Sequence, residues 1–314
     1  MNTEMKKVIL TLTLVLATAV SANAQLLYKI SGNGLAKPSF IIGTYHLAPV
    51  SFTDSIPGLK EALDAAEQEY GELDMVDLMS AENTQKMQAA MMLPEGQTLD
   101  KLLTTEQMAR VNGLLKTLMG VDMTNPMVAQ QLGKMTPQAL TLQMSLLMFI
   151  KKNPDFNPQE SFDDYFQQVI AKAGKPVKGF ETVDFQVDAL LKGSPMDRQI
   201  ENLMCMVDNQ EWQEEMAEEI VNAFFSQDLK AIEAALDAKL NNSCDDTPEE
   251  RDRLIYNRNA NWLKMMPQIM KEKSTFFAVG AAHLVGEKGV LTGLKNAGFT
   301  VEPTPGPSPR EGGS

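Results

Sequence analysis

Histidine is almost missing from this chain: His46 and His283 are the only two among 314 residues. Cysteine is as scarce, with Cys205 and Cys244 alone. Neither has a Cys-x-x-Cys partner or a Cys–His zinc spacing, which argues against a thiolate metal site and a thioredoxin-like redox pair. Positive charge is short: 28 Lys and Arg face 41 Asp and Glu, for a net charge of −13. An acidic chain without a basic patch is not a nucleic-acid binder, and anionic lipid surfaces would repel it. After the N-terminal segment no run of 18 apolar residues occurs, so no transmembrane helix is expected. The H-E-x-x-H, G-x-S-x-G, P-loop and strand-following G-x-G-x-x-G patterns are all absent.

What is present starts with a leader. Lys6 and Lys7 precede the apolar run Val8 to Val20, and Ala22-Asn23-Ala24 fits a small-x-small cleavage site. Residues 1–24 therefore read as a signal peptide cut after Ala24, and the product as periplasmic or secreted. Loss of Glu4, Lys6 and Lys7 leaves the remainder near −14. In an oxidising compartment a Cys205–Cys244 disulfide is plausible and would staple two helical segments.

The remaining chain alternates strand and helix signals at both ends. "LLYKISG", the turn "NGLAKP" and "SFIIGT" read as a hairpin. "PGLKEALDAAEQ" reads as a helix, "EYGELDM" as a short strand. Residues 78–152 are rich in Met, Gln, Leu and Ala at helical spacing, and read as a helical insert that could cover a cleft. Methionines such as Met91 and Met92 read as adaptable packing rather than metal or haem ligands. "SFDDYFQQVIAKAGK" is a helix with Ser161 as N-cap, "PVKGFET" a strand ending at Glu181, and residues 185–240 are helical again. A capped helix over Thr247 to Lys273, the buried strand "STFFAVG", the helix "VLTGLKNAGF" and the strand "TVEP" close the pattern. The tail 304–314 is Pro/Gly/Ser-rich and reads as disordered. The expected class is α/β, with a central mixed sheet built from the terminal strand–loop–helix units and a large helical insertion, over a single domain at 25–303.

The two histidines share one local frame. "FIIGTYHL" and "FFAVGAAHL" are each an apolar strand, then Gly-x-x-His, then Leu. Glycine permits a sharp turn at a strand end, and the carboxyl ends of parallel strands are where α/β sheets bind ligands. His46 and His283 are thus candidates for two metal ligands, or for a ligand and a base. The plainer reading is two polar residues satisfied at strand ends. Glu72, in "YGELDM", and Glu181, in "VKGFET", occupy similar positions and suit a third ligand and a proton acceptor; Asp74 competes with Glu72, and on spacing alone each acid is equally well a cap or a surface charge. Arg258, in "YNRNANW", suits an oxyanion or a substrate carboxylate, or pairs with an acid.

These motifs resemble the TraB/GumN/PrgY family, which includes the Tiki proteins. The resemblance runs through "YKISGNG…FIIGTYHL", "GELDM", "GKPVKGFET", "RNANW" and "FFAVGAAHLVGEKGVLTGLKNAGFTVEP", and is weakest in the Met-rich insert. It implies an erythromycin-esterase-like or ChaN-like α/β core and a metal-dependent peptidase. Carried over by position, it implies His46, His283 and Glu72 as ligands of a divalent ion (Mn, Co or Zn), with Glu181 and Arg258 as catalytic partners. Gly179-Phe180-Glu181 departs mildly from the family's Gly-Leu-Glu step.

Two functions follow as expectations. One is a metal-dependent hydrolase acting on a peptide or protein, with Glu181 as general base, Arg258 at the oxyanion and the insert forming the substrate cleft. The other is a non-catalytic protein of the same fold that sequesters a peptide or haem. A metal-free hydrolase with one histidine as base is a third.

Overall fold

A computed structural model describes residues 25–304. Six strands form one mixed sheet in the order β4-β3-β5-β2-β1-β6. β1 (Leu27–Ser31) and β2 (Ser39–Thr44) form the expected antiparallel hairpin, turned through Gly32, Asn33 and Gly34, all at positive φ. β2 runs parallel to β5 (Thr275–Gly280), with Thr44 opposite Gly280, so the two ends of the chain meet at the middle of the sheet. β3 (Gln68–Gly71) is parallel to β5 on its other side, β4 (Val177–Gly179) is parallel to β3, and β6 (Thr300–Pro303) is antiparallel to β1.

Parallel strands read as near-continuous apolar runs because helices cover both faces. All six residues of β2 are buried. On one face Phe40, Ile42, Phe276 and Ala278 meet the helices Leu59–Ala65 and Phe162–Lys172. On the other, Ile41, Phe277 and Val279 meet the helices Asn257–Glu272 and Val290–Asn296. The strand expected over "EYGELDM" stops at Gly71, and Asp74 instead caps the short helix Met75–Leu78 by accepting from Val76 and Asp77 N–H groups. An Asp at that position satisfies helix N-terminal donors, which is why it does not reach the site as an alternative to Glu72.

The helical reading of residues 78–152 holds, with Ala81–Ala90, Thr105–Met119, Pro126–Leu132 and Pro137–Lys152 its main helices. They build a core of their own: Val111, Leu114, Leu115, Leu140 and Met144 pack against Leu203, Met204 and Met206 of the helix Met196–Asp208. Cys205 of that helix is disulfide-bonded to Cys244, which lies in a turn rather than in a second helix. No helix among the described residues is long and apolar enough to cross a membrane. The expected leader lies outside the described residues, as does the tail beyond Thr304. Thr304, the first residue of the tail expected to be disordered, is buried and bonded to the carbonyls of Leu27 and Pro57.

One buried acid in the sheet has no partner among the described residues. Glu69 on β3 is fully buried, and neither carboxyl oxygen has a hydrogen-bond partner. Burial first, then the nearby acids Asp163, Asp164 and Asp74, push its pKa up to about 9, so it carries its proton in the folded state at neutral pH. In the unfolded chain the same group ionises near pH 4.3, roughly the value of a free glutamate. The folded state therefore binds the extra proton between those limits, and stability falls as pH rises through that window. Glu69→Met is expected to raise the thermal midpoint, and by more at pH 8 than at pH 5. Equal gains at the two pH values would show that Glu69 is not a buried neutral acid.

Candidate functional site

The parallel strands deliver four side chains to one edge. His46 follows β2, Glu72 follows β3, Glu181 follows β4 and His283 follows β5. Gly43 eases this for the two histidine loops: a Cβ there would sit 3.0 Å from Ala281 and Leu284, tighter than ordinary packing, so the second motif would have to shift by a few tenths of an ångström. Gly280 does the same deeper in, where a Cβ would fall 3.2 Å from Glu72 Oε1. His283 ends up in a single 3-10 turn, Ala281–His283, and is buried.

Arg258 lies at the centre of this edge. It is 4% exposed and all of its donors are engaged. Nη2 donates to Glu72 Oε2 at 2.5 Å and to Glu181 Oε2 at 2.8 Å. Nε donates to Glu181 Oε1 at 2.9 Å. Nη1 donates to the Leu254 carbonyl at 3.2 Å and to His283 Nε2 at 3.1 Å. The Trp262 indole N–H adds a bond to Glu181 Oε1 at 2.9 Å, and its ring lies under the guanidinium, 5.1 Å from centroid to Cζ. Gln186 reaches both acids, at 3.0 Å for Glu181 and 3.4 Å for Glu72. Two π-helical turns, Val187–Leu191 and Asp252–Tyr256, immediately follow Gln186 and precede Asn257–Arg258. Such turns are rare and concentrate where a helix must re-aim a side chain.

The protonation of His283 follows from its neighbours. Asn259 Nδ2 donates to the carbonyls of His283 and Lys288, so its Oδ1 faces His283 Nδ1 at 2.7 Å as an acceptor. His283 therefore carries its proton on Nδ1, and Nε2 is the lone-pair nitrogen. Burial first lowers its pKa to about 4, with the Arg258 and His46 charges also lowering it against the pull of Glu72. Glu72 feels burial as its largest influence, upward, but the positive charges of His283, Arg258 and His46 and the Gly280 N–H hold it down at about 2. Because His283 is itself neutral at ordinary pH, Arg258 is the permanent counter-charge.

His46 is set differently. Its Nδ1 pairs with Asp163 Oδ2 at 2.6 Å, and the ring is 72% exposed although protein surrounds it beyond the first layer. The Asp163 charge, and then the hydrogen bond to it, raise the His46 pKa to about 9. Water on the exposed ring screens part of that pull, so the direction is the firmer statement.

His46, Glu72, Arg258 and His283 all line one pocket of about 440 Å³. Its outer wall is apolar: Leu190, Ile220, Phe224, Ile232 and Leu236. These come from residues after 186, chiefly the helices Gln210–Phe225 and Leu229–Asp237, not from the insert expected to form the cleft. The insert turns most of its apolar residues to a core of its own and reaches the pocket only at its start, through Leu78. Glu181 does not line the pocket, and each of its oxygens is engaged by Arg258. Met91 packs against Leu73, Val183 and Val187, away from the pocket. Asp163 and Gln186 went unread in the sequence. An Asp in a helix's first turn reads as a dipole partner, and a lone Gln carries no pattern.

Among the described residues no group of three or more His, Cys, Asp and Glu side chains is gathered closely enough to hold a metal ion. Arg258 supplies the positive charge there. The donor chemistry nevertheless suits a divalent ion. Both histidines have Nδ1 tied to an acceptor, so Nε2 is the nitrogen that could coordinate, and at His283 it accepts from Arg258 Nη1. His283 Nε2 and Glu72 Oε1 are 3.8 Å apart, a span that one ion bound at ~2 Å from each atom can bridge.

The chain matches the TraB/PrgY/gumN family over residues 26–303. It belongs to that family. The match takes in both Gly-x-x-His motifs, both acids and Arg258. A 58-residue stretch is 41% identical to the protein named Metalloprotease TIKI2 of Xenopus tropicalis, covering 18% of this chain and 11% of that relative. The similarity thus spans about a tenth of the relative's length. No solved structure matches the chain.

Two measurements check this geometry in the TraB/PrgY/gumN-family chain. With only two imidazoles present, long-range ¹H–¹⁵N spectra of the metal-free protein are expected to show His283 uncharged from pH 5 to 8, protonated on Nδ1, and His46 holding its second proton past pH 7. Both titrating together near 6.5 would contradict the arrangement. Glu181→Ala leaves Glu72 as the one carboxylate on a buried guanidinium and unpairs its Nε, so unfolding stability is expected to fall by about 1–3 kcal/mol. A general base at that position would instead be removable with little change in stability.

Proposed function

We propose that this family member is a hydrolase of peptide or protein substrates, with a divalent ion held by His46, His283 and Glu72. One observation carries the reading: the two motif histidines leave adjacent parallel strands into one pocket, each with Nδ1 tied, so that Nε2 is the nitrogen able to coordinate, at His283 once Arg258 Nη1 releases it. Kinship with a protein named as a metalloprotease supports the peptide substrate. The reading includes the erythromycin-esterase-like or ChaN-like core and export by the leader.

When bound, a divalent ion supplies Lewis acidity and lowers the pKa of water at the site. The protein's own groups do the rest. Arg258 keeps Glu72 ionised, so that a ligand oxygen is available at every physiological pH. Its own charge faces the pocket, where negative charge develops on an attacked carbonyl. Glu181 anchors that arginine: with both oxygens spent, it serves as a brace in this reading, in place of the proton acceptor suggested by sequence. The apolar wall of Ile220, Phe224, Ile232 and Leu236 lowers the polarity on its side of the pocket and so strengthens the charges next to it.

Purified protein is expected to cleave members of a peptide library in Mn²⁺, Co²⁺ or Zn²⁺, and to stop on chelation. His46→Ala and His283→Ala are each expected to abolish cleavage. Their stabilities should differ: the exposed His46 ring is dispensable, whereas loss of buried His283 unpairs Arg258 and Asn259 at a cost of about 1–3 kcal/mol. Chelator-insensitive cleavage would favour the metal-free alternative, and no cleavage with any ion would remove the hydrolase reading.

A further inference from the structure

The helix Phe162–Lys172 enters the site from outside the sheet. Phe162, Phe166 and Ile170 bury it against β2 and β5. Its second turn is pinned to the exit of β3: Gln167 Nε2 donates to the Leu73 carbonyl at 2.8 Å, and Oε1 accepts from the Met75 N–H at 2.9 Å. Ser161 caps its first turn by accepting from the Asp164 N–H. The backbone carrying Asp163 is therefore fixed on both sides.

Asp163 spends both oxygens on the first histidine motif. Oδ1 accepts from Thr44 Oγ1 at 2.5 Å, and Oδ2 pairs with His46 Nδ1 at 2.6 Å. Thr44 is the last residue of β2 and is itself paired with Gly280. The carboxylate thus holds the strand end and the histidine two residues on, and so fixes the turn between them. His46 needs this more than His283 does. The His283 ring is buried and packed 4.5 Å from the Trp262 ring, centroid to centroid, whereas most of the His46 ring faces open space. A helix residue outside the sheet holds Nδ1 in each case: Asn259 on the buried side, Asp163 on the open side.

We propose that Asp163 is a positioning residue that fixes His46 with the proton on Nδ1 and presents Nε2 to the pocket as the coordinating nitrogen. Asp163 lines the same pocket, but both of its oxygens are spent on Thr44 and His46, so it acts through His46. Its link to cation binding rests on the reading of the two histidines as ligands of one ion, while its hold on the His46 tautomer does not.

Two readouts separate these. In metal-free protein at pH 10, where His46 is neutral, long-range ¹H–¹⁵N spectra are expected to show Nδ1–H in the wild type and in Asp163→Asn, which keeps an acceptor oxygen. In Asp163→Ala the signal is expected to move to Nε2–H, the form an unrestrained imidazole favours, while the His283 signals stay in place. Calorimetric titration with Mn²⁺ or Zn²⁺ is expected to weaken by about 10–100-fold in Asp163→Ala, and less in Asp163→Asn. An unchanged His46 tautomer in Asp163→Ala overturns the positioning role, whatever the metal data show. A tautomer switch in a protein whose wild type binds neither ion leaves the positioning role standing and overturns the metal-site reading instead.

Discussion

A buried guanidinium holds this site together. Arg258 cannot lose its proton at physiological pH, so its charge must be met where it lies. Glu72 and Glu181 meet it, and the Leu254 carbonyl and His283 Nε2 take the remaining donors. Everything at the sheet edge is arranged around that requirement. The two acids must leave neighbouring strands, and β3 and β4 are adjacent and parallel. The helix bearing Arg258 must approach at the right height, and a π-helical turn sits immediately before it. The same charge keeps Glu72 ionised despite its burial and helps keep His283 neutral.

That arrangement gives the two histidines different characters in one pocket. His283 is buried, neutral and fixed by Asn259, so its Nε2 has no proton to lose but accepts from Arg258 Nη1. His46 is open to water, paired with a carboxylate and inclined to carry charge. A single ion bound by both must displace a proton from one and a guanidinium contact from the other. Metal affinity at such a site is therefore tied to pH and to the freedom of Arg258 to shift. The apolar wall beyond them comes from helices unrelated to either motif.

Much of this was legible in the sequence. The apolar runs before Gly43 and Gly280 marked buried strands, and the shared Gly-x-x-His frame marked two equivalent strand ends. The Thr247 capping box and the Ser161 cap marked helix starts that the fold retains. The Met-rich middle read as packing; Met123, Met144 and Met148 are buried there, whereas Met92, Met119 and Met127 are exposed. Other features left no local trace. Asp163 looks like any acid in a helix's first turn, and its contact with His46 spans 117 positions. Glu181 looked like a free carboxylate because nothing near it in sequence shows that Arg258, 77 positions later, takes both of its oxygens. The insert looked like a lid because helical periodicity states that a face is apolar, not which partner covers it.

The sequence by itself determined which segments are strand and helix, and which residue types reach the sheet edge, because both depend on the near-neighbour pattern of apolar, glycine and capping residues. Only the tertiary structure decided that β2 and β5 lie side by side, that Arg258 rather than solvent meets Glu72 and Glu181, and that Asp163 holds His46. Those outcomes depend on which distant surfaces exclude water together. Burial of that kind fixes charge, tautomer and partner at once, and no local pattern encodes it.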